Sequence, residues 1–291
     1  MKTIYYILEN NLESRVRLAD ALLYDSLTHA LGEDAFCSFD ERQSSDRPEI
    51  FWGRDRFRRD TRRKAMASAP YAHPAVQASL GIAGIFSHDA AQAEMDRIGG
   101  LGQGVIVRDA RDPHERMRHL VPGSRLENLG FRVDRSDRSQ VFTVQPDTVD
   151  GPVRRFAIVA GKIAAETPVT HHEDERRVTI GAADLVTLQA NDIFAILKPA
   201  NVSWRDAQAD AALALLAAYP MATGAIDVGL VLSGGSVLGQ VQAVMAAPPG
   251  GFDTYWMDPE AYAAAVACSL PEIEPGHGFG TEAVEPELSR P

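Results

Sequence analysis

The segment from Gly224 to Pro259 constrains the fold more than any other part of the sequence. It holds an apolar run (225–232), a Ser-Gly-Gly-Ser turn, and a second, partly alternating apolar run (237–245). Two such runs on either side of a glycine turn predict a β-hairpin. A Pro-Pro-Gly-Gly loop then leads to Asp258, a residue type that caps helices, and the following proline suits a first helical turn.

The first 80 residues predict a small lobe of mixed strands and helices. Thr3 to Leu8 is short and rich in β-forming residues, as a buried strand would be. Apolar residues from Leu12 to Leu31 recur at helical spacing, and two more short strands are predicted at 35–39 and 49–52. We therefore expect an N-terminal α/β lobe over residues 1–80.

The middle of the chain predicts strands and helices in an order that leads into the hairpin. These elements are a helix at 88–98, strands at 105–109, 139–145 and 153–159, and a core helix at 206–219. A turn that contains Gly161 and Lys162 joins the strand at 153–159 to the apolar run that follows it. The alternation of strands and helices favours an α/β (α+β) fold.

Composition excludes several classes of protein. The 291-residue chain has a formal net charge of −11, which argues against general nucleic-acid binding. It contains no apolar run of about 18 residues and no secretory signal pattern, so we expect no membrane association. With only Cys37 and Cys268, we expect a cytoplasmic protein without a disulfide framework. The acidic segment 270–291, rich in proline and glycine, is expected to be a weakly ordered tail.

The hairpin resembles the C-terminal part of the ATP-grasp superfamily. A little-characterised subgroup has the pattern D-V-G-V, a glycine turn, V-V-E-x-N, a loop of small residues, and G-L-Y-x-x-D-P. Asp227-Val228-Gly229 matches the first block, and Tyr255, Asp258 and Pro259 match the last. In these proteins the Asp and the Glu-x-Asn hold the magnesium of ATP, so the resemblance implies that Asp227 is a metal ligand.

The second half of that metal motif differs in this chain. Met245 occupies the position of the Glu, and Ala247 occupies the position of the Asn. Magnesium prefers hard oxygen ligands, which a thioether and a methyl group do not provide. The resemblance therefore indicates the fold more strongly than the activity.

A second block resembles the subgroup pattern E-x-R-x-F-V-V-x-G-K. Arg155, Val159, Gly161 and Lys162 fit this pattern, whereas Val153 replaces its Glu. The resemblance implies a catalytic role for Arg155 and a nucleotide-binding role for Lys162. The alternatives without a functional role are that Arg155 is an arginine on a strand surface and that Lys162 is a solvated lysine in a turn.

Two further segments acquire roles from the same resemblance. Arg108 occupies the position of the lysine that reaches the α-phosphate in the pattern V-V-K-P, and arginine keeps the positive charge. The linker that precedes Arg155 carries the adenine-binding backbone in these proteins. Here that linker includes Val144, Gln145 and Thr148.

The resemblance implies a complete architecture and a reaction. It predicts an ATP-grasp-like domain over 81–269, between the N-terminal lobe and the tail. ATP-grasp ligases form an acyl-phosphate from a carboxylate and ATP, which an amine or thiol then attacks. ATP and Mg²⁺ are thus the implied cofactors, with a small carboxylate and an amine as substrates.

Three functions remain open at this point. The first is an ATP-dependent carboxylate–amine ligase that forms peptide-type bonds, and the second is a nucleotide-binding relic of such a ligase. The third is a catalytically inactive structural or partner-binding protein that keeps only the fold. A protein partner or a homo-oligomer fits the third function. Thermal stability with and without Mg-ATP separates the functions that bind nucleotide from the one that does not.

Overall fold

The structure is a computed structural model. It describes residues 3–6, 15–17, 26–32, 36–37, 49–52, 69–110, 118–128, 140–149, 151, 153–169, 179–181, 205–231, 237–245 and 259–269. Tyr255, Ala247 and the tail lie outside these ranges. No helix in the described ranges is long and apolar enough to cross a membrane.

The N-terminal strands form a small parallel sheet. Its members are β1 (Thr3–Tyr6), β3 (Phe36–Cys37) and β4 (Glu49–Trp52). Strand β2 (Arg15–Arg17) lies between β1 and β3 along the chain but is not part of this sheet. The order in the sheet is β3-β1-β4, and both pairs are parallel. Parallel strands require crossover connections, which agrees with the predicted α/β character of this lobe.

The helix predicted from Leu12 to Leu31 is wrong at its beginning. Residues 15–17 form β2, which pairs antiparallel with β10 (Thr179–Gly181), and residues 26–31 are helical. Pairing with a strand far along the chain overrides a local periodicity that favoured a helix. The hydrogen bonds of a distant partner are not visible in the segment's own sequence.

A three-stranded antiparallel sheet follows two helices. The elements are α1 (Pro74–Leu80), α2 (His88–Gly99), β5 (Val105–Asp109), β6 (Arg118–Leu120) and β7 (Phe142–Pro146). The strand order is β6-β5-β7. One face of this sheet is apolar and packs on α2, with a core made of Ala91, Met95, Ile98, Val105, Val107, Phe142 and Val144.

A four-stranded antiparallel sheet forms the second part of the core. Its strands are β8 (Val153–Val159), β9 (Lys162–Val169), β11 (Thr223–Val231) and β12 (Leu238–Met245), and its helices are α3 (Arg205–Ala218) and α4 (Pro259–Ser269). The order is β12-β11-β8-β9. The predicted hairpin is confirmed, because β11 pairs antiparallel with β12 from Ala225–Met245 to Val231–Leu238.

The main core lies on one face of this sheet. Its buried side chains include Val76, Leu80, Phe156, Ile158, Ala212, Leu215, Ile226, Val228, Val241 and Val244, from α1, α3 and the strands. Tyr71, in the 3-10 turn Ala69–Ala72, joins the same core. Residues just before position 80 thus pack with the C-terminal sheet, and the domain boundary at 80 stays a prediction.

Helix α3 lies so close to β12 that only glycine fits at the contact. A Cβ atom at Gly239 would overlap the backbone carbonyl oxygen of Ala207 and would also press on the methyl group of Ala211. Backbone atoms of a packed helix do not move aside as a side chain does. This contact fixes the distance between α3 and the hairpin.

We expect Gly239→Ala to destabilise the protein by about 1–3 kcal/mol, as overpacking of a close contact does. Urea unfolding measures the change. The control is Gly99→Ala at the end of α2, where a new Cβ would meet its nearest neighbour at an ordinary 3.5 Å. Equal stabilities of the two variants would contradict the close packing of α3 on β12.

Candidate functional site

Arg155 and Asp227 form a two-pronged ion pair across adjacent strands. Arg155 donates from Nε to Asp227 Oδ1 at 2.6 Å and from a terminal nitrogen to Oδ2 at 2.8 Å. The side chains are only 17% and 7% exposed. Parallel N–H donors on a carboxylate make one of the stronger side-chain interactions in proteins, particularly where water is excluded.

The strand register brings this pair together. Asp227 in β11 lies directly opposite Arg155 in β8, and directly opposite residues share one face of a sheet. The neighbouring Arg154 points to the other face, where it lies 3.4 Å from Glu166 Oε1 and from Gln208 Oε1 in α3. Strand alternation thus gives two adjacent arginines different partners.

A β-bulge in β12 lies beside Asp227. Asp227 pairs with Ala243 and Val228 pairs with Val241, so Gln242 is the extra residue. Gln242 is 1% exposed, and within the described part of the chain neither its amide nitrogen nor its amide oxygen has a hydrogen-bond partner. Bulges commonly redirect side chains next to functional sites, and sequence inspection had not selected Gln242.

Arg108 lies on the three-stranded sheet, on the face opposite the apolar core. It pairs with Thr143, and Gln145 lies two residues further along β7 on the same face. All three side chains are at most 6% exposed. One face of this sheet is therefore apolar toward α2, whereas the other carries buried polar groups.

Tyr71 is hydrogen-bonded to Arg108 of the three-stranded sheet and lies within electrostatic range of Asp227 in the four-stranded sheet. Burial raises the pKa of the Tyr71 hydroxyl, and the nearby Asp227 carboxylate raises it too, while the Arg108 guanidinium and the backbone of Val244 oppose the increase. Hydrogen bonds with the Arg108 side chain and with the Val244 backbone contribute to this lowering of the Tyr71 pKa. Arg108 and Asp227 thus lie near one phenol oxygen, and we call Tyr71, Arg108, Arg155 and Asp227 the junction cluster.

The predicted adenine-binding linker begins in β7, leads to β8 and is hydrogen-bonded to the hairpin. Val144 is fully buried in the core under α2, and Gln145 lies on the polar face. Thr148 is exposed and donates from Oγ1 to Gln240 Oε1 in β12 at 3.0 Å. The nitrogen of Gly151 donates to the carbonyl oxygen of Leu230 at 3.1 Å, so this linker is anchored to both strands of the hairpin.

Lys162 lies apart from the junction cluster. It is exposed and begins β9, directly after the two-residue turn of Ala160 and Gly161. Its partner Val159 is four residues from Arg155 along β8, a separation of roughly 13 Å at the usual rise of a strand. The structure does not bring Lys162 to Arg155, and its role in nucleotide binding stays a prediction.

Among the described residues, those around Asp227 do not fit a magnesium site. Both carboxylate oxygens accept hydrogen bonds from Arg155, and the residue opposite Asp227 in β12 is Ala243. Met245 pairs through its backbone with Ala225. No group of three or more histidine, cysteine or acidic residues suited to a metal occurs in the described part of the chain. A neutral amide such as that of Gln242 does not replace the missing carboxylate.

Comparison with known proteins gives a result at the level of structure alone. No protein-family model matches the sequence, and no curated protein matches it. Among solved structures, the D-cycloserine synthetase DcsG aligns with a TM-score of 0.54 at 12% identity, over 92% of this chain and 99% of that one.

Two other solved structures show weaker similarity. The D-alanine–D-alanine ligase from Bacillus anthracis complexed with ATP aligns at 11% identity and a TM-score of 0.48, over 94% of this chain and 97% of the ligase. A RimK domain protein with an ATP-grasp fold from Sphaerobacter thermophilus aligns at 13% identity and a TM-score of 0.44, over 91% and 98%.

Removal of one partner from the Arg155–Asp227 pair should cost much of the protein's stability. We expect Asp227→Ala to destabilise the fold by about 3 kcal/mol, because the arginine would remain largely buried without its carboxylate. The double variant Arg155→Met, Asp227→Ala should be more stable than Asp227→Ala, since it leaves no buried charge at this position. Urea unfolding measures both changes.

The control has the same geometry on the surface. Arg97 donates from Nε and from a terminal nitrogen to the two oxygens of Glu94, both at 2.7 Å. The Arg97 side chain is 61% exposed and that of Glu94 is 12% exposed, so the guanidinium of this pair, unlike that of Arg155, lies in water. A pair with a solvated guanidinium contributes little to stability, so Arg97→Ala should shift the unfolding midpoint much less than Asp227→Ala. A comparable loss in Arg97→Ala and Asp227→Ala would show that burial does not determine the strength of the pair.

The raised pKa of Tyr71 predicts a loss of stability in alkali. Below about pH 10, Tyr71 is protonated in the folded and in the unfolded protein, so its contribution to the free energy of unfolding is fully present. Above that pH the unfolded chain releases the proton while the folded protein retains it, so stability falls as pH rises. Tyr71→Phe should show a smaller loss between pH 7 and pH 11 by urea unfolding. An equal loss in both proteins would contradict the burial of this hydroxyl.

Proposed function

We propose that this chain, which has the ATP-grasp fold, binds an adenine nucleotide at the junction of its three-stranded and four-stranded sheets. The observation that carries the proposal is the junction cluster. Arg108 comes from one sheet, whereas Arg155 and Asp227 come from the other, and Tyr71 lies near Arg108 and Asp227. Two arginines that separate sheets contribute to one cluster are suited to a ligand with several negative charges.

The phosphate end of the nucleotide is assigned to the two arginines. A guanidinium presents planar N–H donors that match phosphate oxygens, and it keeps its charge when buried. Arg108 extends from β5 on the polar face, next to Thr143. Arg155 has the larger exposure of the Arg155–Asp227 pair, 17% against 7%, and is therefore the member that a ligand reaches first.

The adenine end is assigned to β7 and the linker that follows it. β7 lies at the edge of the three-stranded sheet, so no strand of the described part of the chain covers its outer side beyond Phe142. The backbone groups at such an edge hydrogen-bond extended peptides and are equally suited to the edge of a purine. The segment from Val144 to Thr148 supplies this edge, next to the Arg108 face.

Ligase turnover is not part of the proposal. In that reaction magnesium neutralises the transferred phosphates, and the donor set around Asp227 does not fit the ion. The small carboxylate and the amine belong to the ligase hypothesis. The nucleotide-binding relic is therefore the function that the geometry supports best, and a protein that keeps only the fold is the alternative for the experiment to test.

The first experiment is calorimetric titration of the protein with ATP, supported by thermal unfolding. A ligand that binds only the folded state adds about 2.7 kcal/mol of stability at 100 times its dissociation constant. We expect binding and a corresponding increase in Tm. Absence of binding by ATP, ADP and AMP would contradict the proposal and favour the protein that keeps only the fold.

Replacement of Arg108 tests the phosphate assignment. We expect Arg108→Ala to weaken ATP binding by about 1–3 kcal/mol, as the loss of a charge-assisted contact does. Arg108→Lys should lose part of this amount, because lysine keeps the charge but not the planar fork. Circular dichroism confirms that each variant is folded.

The matched control for Arg108 is an arginine far from the junction cluster. Arg125→Ala removes a guanidinium that is 62% exposed and lies near Asp96 on α2. Its ATP affinity should equal that of the unchanged protein. If the Arg108 and Arg125 variants lose affinity equally, the effect reflects the net charge of the protein and not a contact at the junction.

A further inference from the structure

We infer that the Arg155 guanidinium takes the place of a metal ion on Asp227, so that this protein binds nucleotide in its metal-free form. The inference rests on the proposed nucleotide site and adds the form of the ligand that the site accepts. Its basis is the two-pronged contact of Arg155 with both oxygens of Asp227, at 2.6 and 2.8 Å.

A largely buried carboxylate requires a positive partner or several hydrogen bonds. Asp227 is 7% exposed by side chain, and the register of β11 fixes the face of the sheet on which it lies. Arg155 meets this requirement from the adjacent strand, with donors on both oxygens. The carboxylate is thus neutralised within the chain, before any ligand arrives.

The same arrangement opposes a divalent ion. A cation that approached Asp227 would meet the guanidinium already bound there, and two positive charges a few ångströms apart repel by several kcal/mol in a largely buried site. Movement of Arg155 away from Asp227 would leave its own charge without the carboxylate. The opposing strand supplies Ala243 next to Asp227, which contributes no oxygen from its side chain.

The consequence concerns the charge of the ligand. Free ATP carries two more negative charges than its magnesium complex, and a site that relies on guanidinium groups gains from each of them. Magnesium in solution then competes with the protein for the phosphates. An ordinary metal-bridged nucleotide site has the opposite dependence, because there the ion connects the phosphates to the carboxylates.

The decisive experiment is titration of the full chain with ATP in EDTA and again in excess Mg²⁺, at equal ionic strength. We expect binding in EDTA and an affinity about tenfold lower in Mg²⁺, as the loss of one charge-assisted contact would produce. Binding that requires Mg²⁺ would overturn the inference and leave the proposed nucleotide site intact. No binding in either solution would overturn the proposed function itself.

The variant Asp227→Asn gives a second test, because it should raise the ATP affinity of a metal-free arginine site and lower that of a metal-bridged site. Asparagine keeps the shape and one acceptor for Arg155 but removes the negative charge beside the phosphates. We expect ATP binding in EDTA to become about three- to tenfold tighter. Equal or weaker binding would overturn the inference, and a metal-bridged site would lose its affinity.

The control for this variant is Asp89→Asn, which changes the net charge equally at a side chain exposed to water at the start of α2. Its affinity should equal that of the unchanged protein in both solutions. Should Asp227→Asn fail to fold, as judged by circular dichroism, the comparison of EDTA with Mg²⁺ on the unchanged protein still decides the question.

Discussion

The antiparallel register of β8 and β11 is the constraint on which the junction depends. This register places Arg155 opposite Asp227 and, one residue further on, Arg154 opposite Val228. A slip by one residue would turn every side chain to the other face of the sheet. Asp227 would then face the core that Ile226 and Val228 now occupy. The ion pair and the apolar core therefore support the same register.

In both sheets, one face packs against helices through apolar side chains, and the opposite face carries the charged residues of the junction cluster. The three-stranded sheet packs Val107 and Val144 against α2, whereas its other face carries Arg108 and Gln145. The four-stranded sheet packs its apolar face against α1 and α3 and turns Arg155 and Asp227 to the opposite side. Burial of the apolar faces stabilises the fold, whereas the opposite faces carry Arg108, Arg155 and Asp227 of the junction cluster.

Local sequence patterns predicted most of the elements near the site. The hairpin, the strand that carries Arg155, the strand that carries Arg108 and the helices predicted at 88–98 and 206–219 are present, because period and turn residues are local signals. The alternation Phe-Thr-Val-Gln in β7 also places Thr143 and Gln145 on one face, although sequence inspection did not select Thr143. Such alternation could have identified it.

Other features depend on contacts that no local pattern contains. Tyr71 lies in a segment interrupted by proline and glycine, and its importance appears only when Arg108 and Val244 approach it from distant parts of the chain. The bulge at Gln242 depends on the pairing of two strands, and β2 depends on β10. The sequence therefore predicts most helices and strands of this protein. It predicts contacts between them only where the alternation of side chains along a strand shows which residues share a face.

The Arg155–Asp227 pair also determines how binding is coupled to folding. A carboxylate that relies on a metal makes stability depend on the supply of that metal, since the ion binds the folded state only. Here the cation is part of the chain, and the carboxylate is neutralised by the register of β8 and β11 as soon as the sheet forms. Met245, at the position where the family resemblance places a Glu, is compatible with a stable fold for the same reason, because Asp227 already has a cation in Arg155. Under the proposed function, a nucleotide therefore binds to a site that is already assembled before the ligand arrives.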